Sequence, residues 1–141
     1  MTIDFVLLPL FVQVGLTFFL LFWMGTVRVG ALRRREVAMA DVALRQPSWP
    51  ERPTRIANAF HNQLELPLLF YVLVILALFT RKADTFFVVL AWMFVTARLV
   101  HAAIHVSGND VRRRFFAFLV GAIILLIMWI VFTLRIFFAG L

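Results

Sequence analysis

The sequence predicts an all-α membrane protein, an up-down bundle of four transmembrane helices. Three observations carry that reading. Of its 141 residues, 64% are hydrophobic and the mean hydropathy is +0.99, far beyond the roughly half-apolar usage of soluble domains. The apolar residues gather into four runs, each near the ~20 residues that a helical crossing needs. The 14 Lys and Arg residues outnumber the 7 Asp and Glu and fall mostly between those runs. A chain this short forms a single domain, residues 1–141. In a soluble chain a net charge of +7 and a pI near 11.7 would suggest nucleic acid. Here the arginines read as topology signals and headgroup contacts, so membrane lipid is an expected partner and nucleic acid is not. Cysteine is absent, which excludes disulfides, thiolate catalysis by the chain and Cys-ligated metals.

The first span covers about residues 5–27. Asp4 and no basic residue precede it, and no small-residue cleavage pattern follows, so it reads as a retained helix rather than a signal peptide. Pro9 lies near its start and Gln13 is its one strongly polar interior side chain; Arg28 ends it, followed by Arg33, Arg34 and Arg35. The polar loop over 30–53 contains Pro47, Pro50 and Pro53 as expected helix breakers. Within it, EVAMADVALRQ is expected to form a short amphipathic piece at the surface. The second span covers about 56–79, with Pro67 expected to kink it about a turn beyond His61. The turn RKAD at 81–84 is so short that spans two and three must be antiparallel neighbours. The third span covers about 85–106, the basic loop SGNDVRRR follows, and the fourth span covers about 115–137. Arg28, Arg33–Arg35, Arg45, Arg52, Arg55 and Arg112–Arg114 flank the first and third loops, against Arg81 and Lys82 in the middle one. This asymmetry predicts cytoplasmic first and third loops with both termini outside.

The chemistry concentrates where span two begins and span three ends. Asn58, His61, Asn62 and Glu65 fall at i, i+3, i+4 and i+7, one polar stripe on a helix. Arg98, His101 and His105 share a face of span three, and Arg112–Arg114 stand at the mouth. Each stretch covers about 10 Å at 1.5 Å per residue, and the antiparallel arrangement sets them at the same depth. A polar stripe inside a bilayer is costly unless it faces other helices or a wet cavity. The structural alternatives are an ion pair of Glu65 with Arg98 that fixes register, and Asn58 and Asn62 as hydrogen-bonding glue between helices. His101-x-x-x-His105, with His61 and Glu65 repeating the spacing, also permits a metal. Without a third fixed feature that motif is unspecific, and no metal is assigned.

In order and spacing, RIANAFHNQLELPLLF and ARLVHAAIHVSGNDVRRRFFAF resemble the MAPEG family, the membrane-associated proteins in eicosanoid and glutathione metabolism. The resemblance spans essentially the whole chain. It implies a left-handed four-helix bundle assembled as a homotrimer, with glutathione between subunits near the cytoplasmic face, and a bacterial inner-membrane location. By position Asn58 matches the family's helix-two Asn, while Arg98 and His101 match its helix-three Arg and His. Arg114 matches the arginine that stabilises the glutathione thiolate, and Arg28 one in or near the same pocket. His61, Asn62 and Glu65 are expected to line the site with them, and His105 to serve as a secondary donor. The chain departs from the family pattern at His61 (commonly Glu), Ala57 (commonly basic) and His105 (commonly Tyr). Phe115 and Phe118 stand where polar residues are usual.

The expected function is therefore glutathione-dependent transferase or peroxidase chemistry on a hydrophobic small molecule, with Arg114 and His105 as catalytic groups. The departures keep two alternatives open. One is a non-catalytic structural or accessory subunit of a larger membrane complex; the other is a binder of a different anionic ligand.

Overall fold

The computed structural model describes residues 2–43 and 48–138. Arg45, Pro47 and the last three residues of EVAMADVALRQ lie outside them. Among the described residues there are helices and turns but no strand. Four helical units are long and apolar enough to cross a membrane, which is the predicted bundle.

The first, α1 (Ile3–Arg33), continues past its apolar run and carries Arg28 and Arg33 as helical residues. It ends when Arg35 adopts φ 56° and Glu36 N–H donates back to Ala31 O at 3.0 Å, the left-handed closure that glycine usually supplies. The described part of the expected amphipathic piece forms one 3-10 turn, Met39–Val42.

The second crossing differs most from expectation. Pro50 caps α2 (Glu51–His61) and Pro53 lies in its first turn, where a missing amide costs no intrahelical bond. Both prolines start a helix rather than break one, so the crossing begins five residues early. Then, instead of a kink, the chain breaks. A 3-10 turn, Asn62–Leu64, follows α2. Glu65 leaves helical space at φ −99°, ψ −102°, and α3 (Leu66–Phe79) begins with Pro67 in its first turn. Pro67 has no amide to donate to the Gln63 carbonyl, and its ring crowds that carbonyl in a continuous helix. The polar stripe is thus divided between α2, the turn and the joint.

Like α1, α3 closes on an arginine, Arg81, with φ 56°. The tight turn ends at Asp84, whose carboxylate accepts from Phe87 N–H at 2.9 Å and so caps α4 (Thr85–Ser107). Likewise Asp110 accepts from the amides of Arg112 and Arg113 at 3.0 and 3.3 Å. This cap starts α5 (Val111–Phe137) four residues earlier than expected and makes Arg112–Arg114 helical.

The main core fills the end of the bundle that holds the tight turn. Phe70, Leu73, Phe87, Phe94, Leu125 and Met128 meet there, with the Phe70 and Phe94 rings stacked at 4.7 Å. Towards the basic end, which carries the first and third loops, packing passes to small residues: Leu20 against Ala59 and Ala102, and Met24 against Ile56 and Ala57. Phe11, Phe18, Phe22, Ile75, Met93 and Ile130 point outwards, an apolar surface suited to lipid.

Candidate functional site

The break in the second crossing frees backbone carbonyls that a continuous helix would pair. Arg98 takes one of them. It is 1% exposed and donates from Nη2 to Asn62 O at 2.9 Å. The Glu65–Arg98 ion pair, one of the structural alternatives, does not form: Glu65 is exposed at the joint and belongs to none of the ion pairs found among the described residues. The break leaves the carboxylate exposed and offers the guanidinium a carbonyl instead. Nε and Nη1 of Arg98 have no partner.

Asn62 links both elements. Its Nδ2 donates to Asn58 O at 2.9 Å, which fixes the amide orientation, and lies 3.2 Å from His105 Nε2. An amide nitrogen only donates, so Nε2 must accept and the His105 proton sits on Nδ1. The buried Nδ1 atoms of His105 and His101 have no partner. The two imidazoles meet edge-on at 4.9 Å, and Phe118 lies 6.0 Å from His101. No group of three His, Asp or Glu suited to a metal forms among the described residues.

These side chains face a cavity of about 420 Å³ lined by Asn58, His61, Asn62, Glu65, His101, His105 and Arg114, with Val111, Phe115 and Phe118 completing its wall. Its volume falls within the ~300–1,000 Å³ typical of small-molecule sites. Arg114 is held in place by Asn109, whose Oδ1 accepts from Nη1 at 2.6 Å. Asn109 itself has φ 50°, a left-handed conformation that asparagine tolerates.

Seven of the nine sequence-predicted site residues therefore converge on one cavity. Arg98 stands behind the wall, reaching the site through Asn62. Arg28 is elsewhere: its guanidinium lies 5.0 Å from the Trp49 ring centroid, tying α1 to the first loop. Sequence reasoning missed Asn109, although an asparagine just past a helix end is a signal for left-handed geometry. It also missed Gln63, which accepts from Gln13 Nε2 at 2.9 Å while donating to Ala59 O. Both glutamines are fully buried, and the pair joins α1 to the break; a Gln inside an otherwise apolar run was the available signal.

The MAPEG family model matches residues 6–134 of the chain. No curated protein and no solved structure matches it.

Proposed function

The chain belongs to the MAPEG family as an integral membrane protein, and on that premise we propose that its polar cavity binds glutathione and serves thiol transfer or peroxidase-like reduction on an apolar substrate. The observation that carries this reading is the juxtaposition of Arg114, anchored by Asn109, with Asn58, Asn62 and three histidines around one cavity. The donor set fits the ligand. A tripeptide with two carboxylates needs cationic and amide donors, and its amino group finds an acceptor in Glu65. Glutathione would supply the nucleophilic sulfur; a guanidinium beside it favours thiolate over thiol. His105 would orient the Asn62 amide at the cavity wall, and the membrane would deliver the apolar substrate. Self-association as a trimer, with the basic end cytoplasmic, completes the reading.

The test is a glutathione titration of detergent-purified protein, following thiolate absorbance, with Arg114→Ala alongside. A saturable signal lost in the variant supports the proposal; its absence from both proteins overturns it. The second reading, a different anionic ligand in the same cavity, is favoured by one observation: Arg28 stacks on Trp49 away from the cavity, leaving fewer cations to bind two carboxylates.

A further inference from the structure

The three consecutive arginines at the start of α5 do not share a task. Helical residues step about 100° around the axis, so three in a row face different ways. Arg114 turns to the polar cavity, while Arg112 and Arg113 line a second, larger hollow on the outer side of α4 and α5. This groove holds about 930 Å³ and is otherwise almost wholly apolar, with Trp92, Met93, Val100, Phe116 and Ile124 on its walls.

Its dimensions and charge define what fits. From Arg112 to Ile124 along α5 is about 18 Å at 1.5 Å per residue, a little more than half the ~30 Å hydrocarbon thickness of a bilayer. The groove is therefore about one leaflet deep. Both arginines stand at the end where headgroups lie and both are exposed. Arg113 has a weak counter-ion in Asp110, Nε to Oδ2 at 3.7 Å with both side chains largely solvated. Such a pair contributes little, and Arg112 has no ion pair among those found. The amino-terminal position on α5 adds the positive end of the helix dipole.

We propose that the α4–α5 groove is a binding site for an anionic phospholipid, its acyl chain along Trp92, Val100 and Phe116 and its phosphate on Arg112 and Arg113. The occupant is a membrane lipid because the groove joins a cationic mouth to a leaflet-deep apolar trough, a combination that no soluble anion needs. The site is separate from the polar cavity and does not rest on the glutathione reading.

The test uses the full chain in nanodiscs of equal phosphatidylglycerol and phosphatidylcholine, released into native mass spectrometry. The expected result is one retained phosphatidylglycerol per chain, enriched roughly tenfold over phosphatidylcholine, a preference within reach of two juxtamembrane arginines. Arg112→Gln with Arg113→Gln should abolish the preference. Thr96→Trp, which fills the trough from an exposed wall position, should reduce retention with the charges intact. Equal retention of both lipids, or retention indifferent to both variants, overturns the proposal. So does a cross-link between groove positions of two chains in lipid-free protein, because a second copy would then be the occupant.

Discussion

The two ends of the bundle solve the same burial problem in opposite ways. At the tight-turn end, large side chains close on one another, and Asp84 is doubly engaged. Asp84 caps α4 and pairs with Arg135 at 2.7 Å. At the basic end, alanines bring the helices together, a helix is broken, and Arg98, His101 and His105 are buried with side-chain nitrogens unpaired. Buried unpaired polar atoms are rare and costly. On the proposed reading, a fold that carries several beside a cavity gives up stability there for binding, while the other end supplies the stability.

Substitutions at the two ends should therefore separate stability from binding. The largest effect is expected from Phe94→Ala. Phe94 is fully buried against Phe70, and the loss should be about 3–5 kcal/mol in detergent unfolding, with the glutathione signal per folded molecule unchanged. A weakened signal would mean that the two ends are coupled. Arg98→Met should do the reverse. A partly satisfied buried charge contributes little net stability, so unfolding should shift by no more than about 1 kcal/mol. Glutathione saturation should need roughly tenfold more ligand, because the Asn62 carbonyl loses a charge-assisted bond and the Asn62–His105 alignment goes with it. Unchanged binding would reduce Arg98 to a packing residue.

The smallest effect belongs to Asp84. Burial alone would raise its carboxyl pKa, but the Arg135 guanidinium and the Phe87 amide outweigh it and hold the group below the ordinary value of 3.8. A carboxylate depressed in the folded state contributes stability that is complete above the unfolded value. It is lost as pH falls through the folded one, so the contribution should fade only below about pH 4. Asp84→Asn keeps a capping side chain and removes the ion pair. It should cost under about 1 kcal/mol at neutral pH and flatten that acid limb in a pH series of melting curves. An unaltered limb would assign it to another carboxylate.

The four crossings and the tight turn were legible in the sequence because apolar run length and the spacing of charges state them directly. The matched depth of the two polar stretches was legible too, and the Arg98–Asn62 and Asn62–His105 contacts express it. What Arg98 would bond was not. Sequence displays charged partners such as Glu65, whereas the actual acceptor is a backbone carbonyl, which every residue has and only a broken helix exposes. The division of Arg112–Arg114 was concealed by reading them as loop; recognising Asp110 as a cap would have made them helical and separated their directions. The Arg28–Trp49 contact bridges a helix and a long proline-containing loop, whose path no periodicity reports.

The broken crossing also bears on how the chain enters a membrane. Alone, α3 has 14 residues, about 21 Å, too short for the ~30 Å hydrocarbon layer. The segment before it carries Arg52, Arg55, Asn58 and Asn62, poor material for independent insertion. The turn after it is only a few residues long, and α4 brings the guanidinium that satisfies the break. The second and third crossings are therefore expected to insert together, as a hairpin. A chain truncated before Arg98 would leave its second crossing without the group that lets it stay in the bilayer.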